Sequence, residues 1–216
     1  QKRYDLMSHR DNFIKTNKEL KKPMDIFNVG FIGANGSIPD QVTGVAVTPD
    51  STTELTVNWD ALSAIPAVSG YLVERSPNGT DTWTTVAASN STTSFGDSGL
   101  SVYTYYYYRV SAINPIGTGV PSAVANNRTL GTSPSTPTGL SGTANSTSQN
   151  TITWSSVSAT PTVSSYTLEW SANGSSGWTS IHSSTGTSKT HTGLSTYTLY
   201  YYRVKATNAI GSSSYS

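Results

Sequence analysis

The chain has 216 residues, of which only 12% are charged, and its 13 basic and 12 acidic side chains leave a formal charge of +1. That balance gives no electrostatic reason to expect nucleic acid or an anionic membrane as partner. Cysteine is absent, which excludes disulfides and thiolate metal sites, and no apolar run reaches the roughly eighteen residues of a membrane-spanning helix.

Residues 1–37 stand apart from everything that follows. "DNFIKTNKELKKP" is mildly basic and predicts a short helix capped at Asp11 that stops near Pro23. "MDIFNVGFIGANGS" then gathers Ile26, Phe27, Val29, Phe31 and Ile32 into a stretch too apolar to be left in water and too short to fold alone. These five residues are the candidate anchor. The segment reads either as an extended arm that docks on another subunit or domain, or as the remnant of a preceding domain, and both imply a larger assembly.

From residue 38 onward the apolar spacing has period two. "ELTVNWD" and "GYLVERS" alternate as half-buried strands do, and Asn78-Gly79 marks a tight turn. "VYTYYYYRVSAIN" follows. Successive strand side chains face opposite sides, so Tyr106, Tyr108, Val110 and Ala112 are predicted inward, with Tyr107, Arg109 and Ser111 toward solvent. The pattern then recurs. Trp59, Tyr71, Glu74, Asn78 and Trp83 reappear 95 residues later as Trp154, Tyr166, Glu169, Asn173 and Trp178; Leu100, Tyr106, Arg109, Asn114 and Gly117 reappear 94 later as Leu194, Tyr200, Arg203, Asn208 and Gly211. Two copies of one module are therefore predicted, at 38–131 and 132–216, joined through "GTSPSTP". Each is an all-β antiparallel sandwich. After Gly211 only "SSSYS" remains, so the last strand of the second module is predicted to be incomplete. Continuation of the chain or strand addition by a neighbour would finish it.

The ordered set "L-x5-Y-x2-RV-x-A-x-N-x2-G", present twice behind an upstream Trp and a "Y-x-[VL]-E" strand, resembles the fibronectin type III module. The resemblance covers nearly everything after Pro39 and implies two tandem immunoglobulin-like sandwiches. It also implies that Tyr106 and Tyr200 are tyrosine-corner residues, that Trp59 and Trp154 lie in the cores, and that Glu74–Arg109 and Glu169–Arg203 pair across neighbouring strands on the outer face. As exposed pairs these would each contribute about 0.2–1 kcal/mol and serve mainly to mark register.

Candidate chemistry is sparse. "GDSG" at residues 96–99 has the form of a serine-protease nucleophile segment, but His9, His182 and His191 all lie outside the first module, and the repeat maps Asp97-Ser98 onto His191-Thr192. It reads as a loop. His182 and His191 have no carboxylate cluster to complete a metal site. No phosphate cradle or calcium loop is present, so no catalytic, cofactor or metal residues are assigned. Six N-x-[ST] sequons, at Asn35, Asn78, Asn90, Asn127, Asn145 and Asn173, are close to what so Ser/Thr-rich a chain contains by chance. Trp83, Tyr107, Trp178 and Tyr201 are candidate exposed aromatic contacts for sugar or protein; for the two tryptophans the plainer expectation is that they cover a sheet edge.

The expected function is that of a non-enzymatic structural or adhesive spacer on an outer surface, anchored through its arm. The setting would be a phage or virus particle (capsid decoration, tail or fibre) or a microbial cell-surface protein. Its partners would be protein subunits of that assembly, with a cell-surface glycan as a further candidate. The alternative is an accessory region of a secreted polysaccharide-degrading enzyme, in which modules resembling these occur.

Overall fold

The computed structural model describes residues 36–216; the helix predicted after Asp11 and the apolar stretch 26–32 lie outside the described residues. The first module contains β1 (Ala46–Pro49), β2 (Glu54–Asn58), β3 (Gly70–Ser76), β4 (Thr84–Asn90), β5 (Ser94–Ser98), β6 (Tyr105–Asn114), β7 (Gly117–Thr118) and β8 (Ala125–Arg128). One sheet runs β1-β2-β5; the other runs β4-β3-β6-β7, with β8 also paired to β6. The second module contains β9 (Ser141–Ser146), β10 (Gln149–Thr153), β11 (Ser165–Ser171), β12 (Thr179–Ser184), β13 (Ser188–Thr192) and β14 (Tyr201–Thr207), in sheets β13-β10-β9 and β12-β11-β14. Every ladder is antiparallel, and no helix occurs among the described residues.

The period-two pattern places the cores. In module 1 Leu55, Val57 and Trp59 from one sheet meet Tyr71, Val73, Tyr108, Val110 and Ala112 from the other. In module 2 Ile152 and Trp154 meet Tyr166, Leu168, Val204 and Ala206. The second core is the smaller, with six buried apolar residues against eleven, so module 2 gains less from burial. In both, the core Trp lies against a Tyr ring, 5.3 Å from Tyr71 and 5.9 Å from Tyr166. Both indole N–H groups are buried without a hydrogen-bond partner, a cost the two modules share.

Ser111 departs from expectation: it is buried rather than solvent-facing. β6 is flanked by β3 on one side and by β7 and β8 on the other. A two-atom side chain in such a central strand is overhung by the longer residues two positions away on the same face. Beyond Gly211 the chain runs beside β14, with the Ser213 and Ser216 N–H groups donating to Ala206 O and Val204 O.

One asparagine closes the N-terminal pole of each module. Asn114 Nδ2 donates to Ser37 O (2.7 Å) and Pro66 O (3.2 Å), and its Oδ1 accepts from the Ile116 and Gly117 N–H groups. Asn208 repeats this with Thr132 O, Pro161 O, Ile210 and Gly211. In this way the linker before each module is tied to the turn after its long central strand.

Candidate binding surfaces

The tyrosine corners form where the repeat predicts them. Tyr106 Oη accepts the Ser101 N–H at 2.9 Å and Tyr200 Oη accepts the Ser195 N–H at 2.8 Å. Each hydroxyl thus satisfies a backbone donor five residues upstream, in the loop entering the strand. Tyr103 and Tyr197, at matching places in those loops, both adopt φ of +53°.

The outer face carries the charge pairs. Glu74 lies directly opposite Arg109, and Glu169 opposite Arg203, in the strand register. Arg109 Nε and Nη2 donate to the two Glu74 oxygens at 2.7 and 3.1 Å; Arg203 Nε donates to Glu169 at 2.8 Å. Neither pair is as open as expected: the glutamate side chains keep only 15% of their exposure. The reason is the tryptophans. Trp83 lies over the Arg109 guanidinium at 4.4 Å and Trp178 over that of Arg203 at 4.1 Å, which excludes water and adds cation–π attraction. They cover an ion pair on the sheet face and not its edge. In module 2 Tyr215 closes the other side, 4.0 Å from Arg203, and its hydroxyl donates to Glu169 Oε1 at 2.6 Å. Burial pushes the Glu169 carboxyl up, but the hydrogen bonds from Tyr215 and Arg203 outweigh it and hold the group below its ordinary value.

Tyr107 and Tyr201, the other two aromatic candidates, are held by the Asn-Gly turns. Gly79 and Gly174 have φ of +77° and +74°, and a Cβ on either would lie 2.6 Å from Tyr107 Cδ1 or 2.8 Å from Tyr201 Cδ1. Glycine is needed for both reasons at once. The turns are locked from below by a serine that the sequence pattern did not single out: Ser76 Oγ accepts from the Asn78 and Gly79 N–H groups, and Ser171 Oγ from those of Asn173 and Gly174. Of the four aromatic candidates only Tyr201 is exposed, at 40%; Trp83, Tyr107 and Trp178 are half-buried.

The "GDSG" segment resolves into architecture. Asp97 is buried and accepts from Arg75 Nη1 through both oxygens (3.0 and 2.9 Å) and from Tyr108 Oη at 2.8 Å. Burial, reinforced by the hydrogen bond to Asp97, raises the Tyr108 phenol far above its ordinary value, so it stays a neutral donor. Ser98 is exposed at the end of β5. Sequence reasoning misses this Arg–Asp–Tyr bridge between the sheets: the segment reads as a loop, whereas residues 96–98 form the end of β5. In module 2 the equivalent His191 packs at a tilt against Trp170 (5.2 Å) and lies 3.0 Å from Tyr202 Oη through Nδ1, while His182 meets Trp154 of the other sheet edge to face. Among the described residues no three His, Cys, Asp or Glu side chains gather to hold a metal ion.

A family model, the fibronectin type III domain, matches residues 40–128 and 135–216. The chain is 33% identical over 117 residues to receptor-type tyrosine-protein phosphatase F of Danio rerio, covering 52% of this chain and 6% of that protein. It is 32% identical over 200 residues to exoglucanase B of Cellulomonas fimi (86% and 17%) and 31% identical over 184 residues to chitinase A1 of Niallia circulans (81% and 24%). It therefore spans a quarter or less of the length of each of these relatives. Among solved structures, the chicken CNTN1 FN1-FN3 domains align over 84% of this chain and 66% of that one, at 25% identity and a TM-score of 0.41. With the family model matching twice and each copy built around its tyrosine corner, the chain belongs to the fibronectin type III domain family.

Proposed function

We propose that the chain is a non-enzymatic spacer displayed outside the cell, structural or adhesive in role, and rooted at its N-terminal side through residues 26–32. The setting we favour is the surface of a phage or virus particle or of a microbial cell, with protein subunits of that assembly as partners and a surface glycan as a further one. One observation carries the reading: among the described residues, the acidic and histidine side chains best placed for chemistry are engaged by the fold. Asp97 is held by Arg75 and Tyr108, His191 packs among aromatic rings, and Glu74 and Glu169 are engaged by arginines under tryptophan lids. Among the described residues, many of the exposed side chains are Ser, Thr and Asn, small uncharged groups suited to a spacer's surface.

The test is imaging of the native assembly with a label on the modules. Labels projecting from an outer surface, with unchanged spacing when surface Ser and Thr residues are altered, are the expected result; a label inside a compact enzyme particle overturns it. A second reading has its own support, since the matches to an exoglucanase and a chitinase run across both modules. In that reading the pair is an accessory region of a polysaccharide-degrading enzyme. Hydrolysis of cellulose or chitin by the native full-length protein would select it.

A further inference from the structure

The connector "GTSPSTP" is, in three dimensions, almost all module 2. Thr132 donates its N–H to Thr160 O at 2.9 Å, and its carbonyl accepts from Asn208 Nδ2 at 2.8 Å. Pro134 and Pro137 are buried, and a Cβ on Gly211 would lie 2.9 Å from Ser133 Oγ. On the other side Leu130 belongs to module 1: its N–H donates to Ser51 O at 3.0 Å and its carbonyl accepts from the Tyr103 N–H at 3.2 Å. Only Gly131 lies between these two clamped residues.

That spacing removes the slack on which domain motion depends. Domains joined by a flexible linker and a modest interface move relative to one another by default. Here the Cα atoms flanking Gly131 can separate by at most about 7 Å, so the modules can turn only about the φ and ψ of one residue. A glycine would ordinarily make that turn easy. Its neighbours take the freedom away: a Cβ on Gly131 would lie 2.8 Å from Ile210 Cγ1 of module 2 and 2.8 Å from Tyr103 Cδ2 of module 1. Unlike Gly79 and Gly174, Gly131 does not have a positive φ, so space and not backbone conformation calls for glycine there. Both neighbours are themselves fixed. Tyr103 stands in the tyrosine-corner loop with the Arg128 guanidinium 3.5 Å over its ring. Ile210 donates its N–H to Asn208 Oδ1 at 2.9 Å, so the side chain that clamps Thr132 also places Ile210.

We propose that Gly131 is the pivot of a locked joint: the tyrosine-corner loop of module 1 and the turn after β14 of module 2 close on it from two sides and hold the modules at one angle. Ile210 is the bolt and Tyr103 its seat. The joint stands on contacts within the chain. Only its purpose, keeping the two ends of a spacer in a set relative direction, rests on the spacer reading.

Because the chain has no cysteine, Thr85→Cys and Ser180→Cys place one spin label at an exposed strand position of each module. Pulsed electron resonance then reads the distance between the labels in the full chain. The expected result is a single narrow distance distribution. Two glycines inserted after Gly131 should broaden it about twofold or more, because flexible linkers sample many separations. Gly131→Ala should displace the mean distance, and Ile210→Ser, which withdraws the bolt but leaves both clamps, should broaden the distribution by a smaller amount than the insertion. A labelled parent chain as broad as the insertion variant would overturn the proposal; so would a distribution that Gly131→Ala or Ile210→Ser leaves unchanged. The far-ultraviolet spectrum shows that each variant is still folded. None of these outcomes bears on where the native assembly displays the modules, so the joint and the spacer reading fail separately.

Discussion

Where the two sheets of each sandwich are bridged, module 1 and module 2 solve one problem with different chemistry. Module 1 buries Asp97 of β5 against Arg75 of β3 and Tyr108 of β6. Module 2 has His191 of β13 at that place, Trp170 for the arginine and Tyr202 for the tyrosine, with Tyr200 closing the cluster. The backbone does not specify the contents of this position; it specifies that something must join the sheets there. An ionic bridge holds well only when every partner is present, because a buried charge left alone is penalised heavily. An aromatic cluster degrades gradually, because each ring pair adds only a modest amount beyond its burial.

The largest predicted effect follows from that asymmetry. Asp97→Ala strands the Arg75 charge and the Tyr108 hydroxyl, and should destabilise module 1 by about 2–4 kcal/mol, the arginine's remaining 30% exposure softening the full penalty of a buried pair. His191→Ala should cost module 2 about 1–2 kcal/mol, the scale of lost ring contacts. Hydrogen exchange in the strands of each module reads the two separately. The double substitution Arg75→Trp with Asp97→His sharpens the test: if the position is truly interchangeable, the pair recovers most of what Asp97→Ala alone loses. A loss larger than that of the single variant would mean that module 1 cannot house the aromatic solution.

Next come the turns, where the modules agree. Gly79→Ala and Gly174→Ala each force a side chain into the left-handed region and against a tyrosine ring, for an expected loss of about 1–2 kcal/mol in either module. Tyr106→Phe and Tyr200→Phe remove only the corner hydroxyl and leave the Ser101 and Ser195 N–H groups to water, about 1 kcal/mol each. Unequal losses at the corners would show that the repeat is less symmetric in energy than in geometry. The smaller core of module 2 should make its transition the lower of the two on heating.

These contrasts also mark what could be read from residue order. The corners, the core tryptophans and the Glu–Arg register were legible because they depend on local spacing, and spacing is what a repeat displays twice. Asp97 was visible only as part of a misleading "GDSG", since its partners lie 22 residues before it and 11 after it, in the opposite sheet. The tryptophan lids were placed at a sheet edge because period alone cannot say which way a residue outside a strand will fold back. Ser111 failed for a related reason: alternation assigns a face, whereas burial on that face depends on the neighbouring strands.

The gentlest prediction uses pH. Burial first, and then the nearby Lys189 charge, hold the His191 imidazole below its ordinary value of 6.5. The other titratable neighbours are Tyr200 and Tyr202, and the Tyr202 phenol is raised by burial, so it stays neutral across the range that matters. The unfolded module therefore takes up a proton before the folded one does. By linkage, the stability of module 2 is fully present above pH 6.5 and declines as pH falls through 6.5 toward the depressed value of the folded state. Module 1 contains no histidine. Strand amides of module 2 should exchange faster at pH 5.5 than at pH 7.5 after correction for intrinsic rates, with those of module 1 changing less. His191→Gln should remove the difference while keeping a polar group for Tyr202. If the slope survives that substitution, the acid sensitivity does not arise at His191 and the inter-sheet position is not what separates the two modules.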